Sequence, residues 1–423
     1  MLKPFLLFLS LVSVTFGQSQ NNFFHEKNPQ QDSIKKSEFL KSIGAGYFPT
    51  RFLNVDLRYL IKYNQFEGIR TGLGGSTNDK FSKKYKLNAY AVYGIKDTRL
   101  KYSFGGGFRI SEKTNSWINL SYTDDLEETG STEFITDGRN FQFFEPRLLN
   151  INLFHRHVTK SLSIEHQITS KILAEAKFMV SNIHPTYQYS YLLNDVPISS
   201  FQLSIGKIAL QWNPFNITSP SAKNNKIAQE GYPKFTLQYS KNFNKVFKSN
   251  FGFSKIDFRT LYKFGDLQNA FTEITLVSGI ANGNTPLTHL YHAYPNNISK
   301  ETVLQRFSVA GLNGFETMYF NEFFSDKFAT LQLKHYVKPF DITERYKPQL
   351  VLITRYAIGD MENPEKHQNV TFNSLKKGYT ESGFEINKLL FGFGFSFTYR
   401  YGAYHLPRID DNVAFKFTFN VSL

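Results

Sequence analysis

Two histidine pairs and one glycine-rich run are the features of this chain whose spacing could support metal or phosphate chemistry. His155 and His157 would lie on one face of a strand, and His289 and His292 are three residues apart. Neither pair has cysteine or carboxylate residues at the spacing of familiar metal sites. The run GLGG at residues 72–75 is not followed by the Lys-Ser/Thr of a phosphate-binding loop. We therefore predict no metal and no cofactor.

Hydrolytic chemistry is not expected either. Serine, histidine and acidic residues are all present, but no spacing fixes their mutual geometry. The chain contains no cysteine, which excludes disulfides and thiolate nucleophiles. We predict that the protein is not an enzyme, and a hydrolase at the rim of a barrel is kept only as a third hypothesis.

The elements that would position such residues are strands. From residue 413 to residue 423, apolar side chains alternate without interruption with small or polar ones. Successive side chains of a strand point to opposite faces, and a strand of about 9–11 residues crosses a bilayer when it is tilted. Phe417 and Phe419 should then face lipid, and Lys416 and Thr418 should face the lumen. An arginine should be costly at position 417 and far less costly at position 418.

The same alternation recurs along the chain, for example at residues 100–111 and 391–402. The segments between such runs are rich in the residues of turns and loops. A spacing of about 25 residues per strand and connection predicts about 14–16 antiparallel strands, closed so that no edge is left unpaired. The predicted fold class is all-β, a transmembrane antiparallel β-barrel of the outer-membrane type.

The chain divides into an export signal, a lead-in and the barrel. Residues 1–17 have the pattern of a cleavable secretory signal peptide, with Lys3 before an apolar run and small residues near a cleavage point after Gly17. A polar lead-in covers residues 18–46, and the barrel covers residues 47–423. The formal net charge of +14 could draw anionic solutes or anionic lipid groups, and the 44 Phe and 24 Tyr suit lipid-facing strands. The predicted location is the outer membrane.

Four segments, in order, resemble the barrel of one family of Gram-negative outer-membrane proteins. They are NQFEGIR at residues 64–70, GFETM at 314–318, YTESGFE at 379–385 and YRYGAY at 399–404. That family is of unknown function, and its members are usually labelled carboxypeptidase-like regulatory domain-containing proteins. The resemblance does not include the N-terminal β-sandwich behind that label. We therefore expect neither that domain nor peptidase activity here.

The family is in turn similar to the bacterial surface-antigen superfamily of outer-membrane assembly and translocation factors. In that superfamily an Arg-Gly-aromatic motif lies on a loop folded into the lumen, and the corresponding residues here are Asn313, Gly314 and Phe315. Asparagine cannot form the bidentate ion pair with a lumenal carboxylate that arginine forms. The resemblance therefore implies an inward loop at residues 311–327 that is held loosely, by neutral hydrogen bonds.

Four charged residues of these segments are candidates for the lumen. Glu67 belongs to the first segment and Arg400 to the last. Glu381 and Glu385 share a parity on a strand whose apolar residues, Tyr379 apart, are even-numbered, so both carboxylates should face the lumen. Each should pair with lysine or arginine, and the alternative is that this pairing only braces the wall.

Two functions remain open. The resemblance implies a scaffold, or a barrel of the translocation and assembly type with an inward-folded loop. The alternative is a passive diffusion channel, a porin, with a mild preference for anions. Expected partners are outer-membrane lipid, the barrel assembly machinery during biogenesis and, for a scaffold, a periplasmic or surface protein. Nucleic acid is not expected as a partner.

Overall fold

The structure, a computed structural model, describes most of the predicted barrel. The described residues are 39, 42–43, 45–135, 147, 151–218, 227–229, 231–267, 269–298, 309–311, 313–343, 347–390 and 392–419. The predicted signal and most of the polar lead-in lie outside the described residues.

The described residues form 25 strands. They are β1 (Tyr47–Pro49), β2 (Leu53–Asp56), β3 (Ile61–Asn64), β4 (Gly68–Thr77), β5 (Tyr85–Gly94), β6 (Arg99–Ser111), β7 (Ser116–Glu128), β8 (Phe154–Thr169), β9 (Ile172–Pro185), β10 (Ser190–Leu193), β11 (Val196–Ile198), β12 (Phe201–Trp212), β13 (Ile217–Thr218), β14 (Ile227–Gln229), β15 (Lys234–Asn242), β16 (Phe253–Gly265), β17 (Phe271–Gly283), β18 (Pro295–Asn297), β19 (Phe315–Tyr319), β20 (Lys327–Tyr336), β21 (Gln349–Asp360), β22 (His367–Gln368), β23 (Tyr379–Leu390), β24 (Phe393–Tyr401) and β25 (Val413–Phe419).

Short 3-10 helices lie between some of the strands. They are Leu57–Tyr59, Val246–Lys248, Leu287–His289, Pro364–Lys366, Gly402–Tyr404 and Ile409–Asn412. In the described part of the chain, no helix is long and apolar enough to cross a membrane.

One antiparallel sheet contains most of the strands, each paired with its neighbour along the chain. Pairing runs through β1, β2, β4, β5, β6, β7, β8, β9, β12, β15, β16, β17, β20, β21, β23, β24 and β25, and β3 pairs with the first half of β4. The sheet has 18 strands within the described residues. Because β2 and β3 follow one another along β4, they form one interrupted strand, and with β1 as a lead-in 16 successive strands remain. The predicted all-β fold, a large antiparallel sheet of the barrel type with about 14–16 strands, is confirmed.

The alternation in β25 separates two environments, as predicted. Phe417 is 42% exposed on the outer face, whereas Lys416 and Thr418 are buried on the inner face. The side chain of Phe419 lies outside the described residues. Thr418 donates a hydrogen bond to Asn387 Oδ1 at 2.7 Å, so its side chain is already engaged on a packed inner face. An arginine at position 418 should therefore also be costly, and its cost relative to position 417 stays a prediction.

The two ends of the sheet carry different connections. Short turns join β6 to β7, β8 to β9 and β16 to β17 at one end, which we call the short-turn end, and this end also carries the longer connection of residues 213–233. At the opposite end, which we call the long-loop end, lie the connections that span residues 129–153, 186–200, 284–326 and 361–378. The interior of a membrane barrel is usually polar. Apolar side chains that face the interior therefore need other apolar side chains to pack against.

The hydrophobic core lies inside the sheet at the long-loop end. Buried side chains on the inner faces of β9, β12, β16, β20 and β23 pack against buried side chains of the long connections. The contributors from the longest connection are Leu287, Leu290, Tyr291, Ala293, Phe315, Met318, Phe323 and Phe324. The core therefore joins the wall to a connection that is folded inward.

Leu120 and Asn119 are neighbours on β7 that face opposite ways, and they allow a test of the two faces. Leu120 is 59% exposed on the outer face, and Asn119 lines an inner cavity. We expect Leu120→Arg to lower the free energy of unfolding by about 2–4 kcal/mol, the cost of an arginine near the bilayer midplane. Asn119→Arg should lower it far less, because the cavity has room for the side chain. Urea unfolding in lipid vesicles measures both, and equal losses would contradict the assignment of faces.

Candidate functional site

The longest connection at the long-loop end, residues 284–326 between β17 and β20, is the candidate site. We call it the plug, and its residues 299–308 and 312 lie outside the described part of the chain. The predicted inward folding is confirmed for residues 314–326, which pack against the inner face of the sheet, and the structure extends it to residues 285–298.

Contacts with the strands hold the plug inside the sheet. Leu287 and Met318 have no exposed surface. The hydroxyl of Tyr291 donates to Asp257 Oδ1 of β16 at 2.6 Å, and the ammonium of Lys255 lies 4.4 Å from the Tyr291 ring centroid. The plug therefore packs on the wall through both apolar and polar side chains.

Gly314 and Phe315 fix the plug against β23. A Cβ on Gly314 would lie 3.1 Å from Asn296 Cβ and 3.3 Å from the carbonyl oxygen of Tyr294, so two plug segments approach where a side chain has little room. Phe315 N donates to Tyr294 O at 2.9 Å. The Phe315 ring meets the ring of Tyr379 edge-on, with centroids 5.6 Å apart.

Glu316 anchors the plug to β25 through an ion pair that the sequence did not suggest. Its carboxylate lies 2.9 Å from the ammonium of Lys416, and both side chains are almost fully buried. The same carboxylate accepts hydrogen bonds from Asn296 Nδ2 at 2.8 Å and from Gly311 N at 2.9 Å. The expectation of a loop held only by neutral hydrogen bonds is therefore wrong, since charge-assisted bonds are stronger than neutral ones.

Glu381 on β23 is the centre of a second set of contacts with the plug. Its carboxylate accepts from the backbone N–H groups of Glu316 and Thr317 at 2.9 and 3.0 Å, and from the Thr317 hydroxyl at 2.6 Å. Arg355 of β21 donates to it at 2.7 Å, and neither Glu381 nor Arg355 has any exposed side-chain surface. The prediction that Glu381 faces inward and pairs with a basic residue is confirmed.

A guanidinium does lie beside Gly314, but it does not come from position 313. Asn313 is exposed, and the methylene groups of Arg147 pack over Gly314. Arg147 Nε donates to the carbonyl oxygen of Pro295 at 3.2 Å, and its Nη2 lies 2.6 Å from Glu128 Oε1. Sequence reasoning missed Arg147 because it belongs to a different connection, far from the plug along the chain.

Arg400 and Glu385 also face inward, but they contact different partners. Arg400 donates two hydrogen bonds, at 3.0 and 2.6 Å, to the carboxylate of Glu322 in the plug, and its guanidinium lies 4.8 Å from the Tyr379 ring centroid. Glu385 lies 3.9 Å from the ammonium of Lys334 on β20. Arg400 therefore holds the plug, and Glu385 contacts the wall.

Glu67 takes part in a different set of contacts, at the turn between β3 and β4. It accepts from Asn64 Nδ2 at 2.5 Å and lies 2.6 Å from the Lys101 ammonium. Arg70, from the same segment, forms two hydrogen bonds of 2.7 Å with Asp125 on β7. These contacts join β4, β6 and β7, so the first of the four segments braces the wall.

Cavities with mixed polar and apolar walls lie on the inner face at the short-turn end. Two of them, of 320 and 930 Å³, share four lining residues, Tyr47, Ser76, Lys86 and Asn119. The inner space of the described residues is therefore packed around the plug and more open toward the short-turn end.

Three of the four histidines that the sequence shows as two pairs lie close together in the fold. The ring centroid of His155 lies 6.5 Å from that of His157 and 6.2 Å from that of His289. Within the described residues, no group of three or more His, Cys, Asp or Glu side chains is arranged to hold a metal ion.

A long antiparallel sheet with an apolar outer face and an inward-folded connection defines the class of transmembrane β-barrels of the outer-membrane type. The chain belongs to a family of unknown function, DUF5686, whose C-terminal domain matches residues 50–272. The predicted membership of a family of unknown function is confirmed. The first of the four segments lies within the matched residues, the other three lie beyond them, and the carboxypeptidase-like label is not shown. Among curated proteins, none matches the chain.

Solved structures share this fold at low sequence identity. BamA from Haemophilus ducreyi lacking POTRA domains 1–3 is 9% identical, with a TM-score of 0.50 over 84% of this chain and 68% of that chain. CdiB from Escherichia coli is 9% identical, with a TM-score of 0.48 over 87% and 62% of the two chains. CdiB from Acinetobacter baumannii is 10% identical, with a TM-score of 0.45 over 84% and 57%. This chain thus spans about two thirds or less of their lengths.

Proposed function

We propose that this chain is a non-enzymatic integral outer-membrane barrel, kept closed by its own plug, that serves as a scaffold or as a barrel of the translocation and assembly type. The observation that carries the proposal is the attachment of the plug to three wall strands. Glu316 pairs with Lys416, Glu381 receives two plug N–H groups, and Arg400 pairs with Glu322.

A plug held in this way differs from a loop that merely narrows a channel. Buried ion pairs are costly to break, because separating them leaves an uncompensated charge in a medium of low dielectric. Two such pairs, Glu316 with Lys416 and Glu322 with Arg400, hold the plug together with an apolar core, and opening would disrupt all of these contacts at once. This favours a barrel that is closed at rest and that works through its surfaces, or after a partner displaces the plug.

The alternative function, a passive diffusion channel with mild anion preference, is favoured by one observation. Lys86 and Lys177 line the cavity at the short-turn end, where they could concentrate anions. The plug and the wall are packed together at the long-loop end, however, so a channel would need a path past this core.

The proposal includes the route to the membrane and the orientation in it. The chain is exported by the cleavable signal of residues 1–17 and inserted by the barrel assembly machinery. The long-loop end faces the cell exterior, because outer-membrane barrels have short periplasmic turns and longer extracellular loops. Outer-membrane lipid and a periplasmic or surface protein are the proposed partners. A peptidase or regulatory-domain role is not part of the proposal.

Electrical recording in planar bilayers separates the two functions. A plugged scaffold should be silent or should flicker rarely, whereas a channel should give stable ohmic steps that favour anions. Stable steps from the intact protein would refute the scaffold proposal.

A further inference from the structure

Four histidines line the contact between the plug and the inner face of the wall, and we call this contact the histidine seam. His155 and His157 lie on β8, while His289 and His292 lie on the plug. His292 Nε2 is 2.7 Å from the carboxylate of Glu128 at the end of β7. The seam therefore joins the plug to the wall through imidazole groups of both.

Threonine hydroxyls orient three of the imidazoles. Each hydroxyl contacts the Nδ1 atom of its histidine: Thr159 with His157 at 2.8 Å, Thr288 with His289 at 2.8 Å and Thr129 with His155 at 3.4 Å. His155 Nε2 is buried without a hydrogen-bond partner in the described residues, and it lies 3.7 Å from the carboxylate of Glu127. The hydroxyl contacts therefore fix the orientation of the three rings, and His155 Nε2 is left without a hydrogen bond inside the seam of the described residues.

Charged groups of the wall face the two plug histidines. His289 faces the carboxylate of Glu127 and the ammonium of Lys255, and His292 contacts Glu128, which also pairs with Arg147. A proton on His289 would add a buried positive charge beside the positive charge of Lys255. Burial makes such a charge unfavourable.

We propose that the histidine seam is a proton-operated latch, which seats the plug at neutral pH and releases it on acidification. This proposal rests on the proposed function, in which the plug closes the barrel. His289 is the group that senses the proton, because it sits on the plug and faces His155, His157, Glu127 and Lys255 on the wall.

The pKa of His289 decides in which direction pH changes the seating of the plug. Burial, and then the neighbouring His155, lower its pKa to about 3 while the plug is seated. A released plug exposes the same imidazole to water, where its pKa returns to about 6.5. The released plug therefore binds this proton at a higher pH than the seated plug does. Seating is unaffected above about pH 7 and weakens as pH falls from about 6.5 toward 3. At pH 5 these two pKa values shift the equilibrium toward release about 30-fold.

Thiol labelling measures the release, because the chain has no cysteine of its own. Ala293→Cys places a thiol in the buried part of the plug, and Ser199→Cys places one on an exposed loop. We take the labelling rate at position 293 divided by the labelling rate at position 199. The pH dependence of the thiol reaction itself is the same at both positions and drops out of this ratio. We expect this ratio to be very small at pH 7.5 and about 30-fold larger at pH 5, since labelling follows the released fraction.

Two histidine variants complete the test in the full-length protein. His289→Gln keeps a polar side chain that does not titrate, so the pH response should be lost, and His289→Asn serves as a second variant if the first does not assemble. His405→Gln, at an exposed histidine outside the seam, should keep the full response.

Three results would overturn the latch. A small labelling ratio that stays the same between pH 7.5 and pH 5 would overturn the latch. Because the plug would still be seated, the proposed function would not be affected. An unchanged pH response in both His289 variants would also overturn the latch alone. A thiol at position 293 that reacts as fast at pH 7.5 as the one at position 199 would mean that the plug is not seated, and would overturn the proposed function as well.

Discussion

Replacing Glu381 by glutamine should destabilise the barrel by about 3–5 kcal/mol, the usual cost of removing one member of a buried ion pair. Glutamine has the same shape, but it leaves the guanidinium of Arg355 without a counter-charge in a site with no exposed side-chain surface. It also weakens the acceptor of the two plug N–H groups. The free energy of unfolding in urea, measured in lipid vesicles, reports the loss.

An exposed pair provides the matched control. Glu362 lies 2.8 Å from Lys327 with 67% of its side-chain surface exposed, so Glu362→Gln should change stability by less than about 1 kcal/mol. The double variant Glu381→Leu with Arg355→Met should recover only the part of the loss that comes from the unpaired guanidinium, because the two plug N–H groups still lack their acceptor. Equal losses for the Glu381 and Glu362 variants would contradict the proposed role of Glu381.

Arg147→Ala should have the second large effect, a loss of about 2–5 kcal/mol as expected for truncating one partner of a buried, hydrogen-bonded charge pair. The change removes the ion pair with Glu128, the hydrogen bond to Pro295 O and the packing over Gly314. The plug should come away from the wall before the strands unfold, so a thiol at position 293 should become reactive at neutral pH.

Arg408 is the control for Arg147. It pairs with Asp410 but is 74% exposed, so Arg408→Ala should change neither the stability nor the reactivity of the plug by a measurable amount. Protection of position 293 that persists in the Arg147 variant would show that Arg147 does not hold the plug.

Sequence reasoning succeeded where the physics is local. The period of two in a strand separates lipid from lumen, so Phe417 and Lys416 could be assigned to opposite faces from β25 alone. The same parity placed Glu381 inside. Gly314 and Phe315 could be placed in an inward loop because the segment that contains them resembles a known family.

The missed contacts are those between residues far apart in the chain. Nothing in the neighbourhood of Glu316 indicates that its partner is Lys416, and nothing near Asn313 indicates that a guanidinium from Arg147 lies beside the loop. Thr418 shows the related limit, since parity gives the direction of a side chain but not whether the space there is filled. The histidine seam likewise depends on a connection that returns to β8, which no local pattern encodes.

Removing the plug tests the central claim most directly. Ile280 of β17 and Lys327 of β20 are paired, so a short turn can replace residues 284–324 without disturbing the wall. In planar bilayers we predict that the intact protein is silent or flickers rarely, and that the variant without a plug gives stable open steps. A variant shortened at residues 338–347, at the short-turn end, should stay silent. Stable steps from the intact protein, or silence from a folded variant without a plug, would contradict the account.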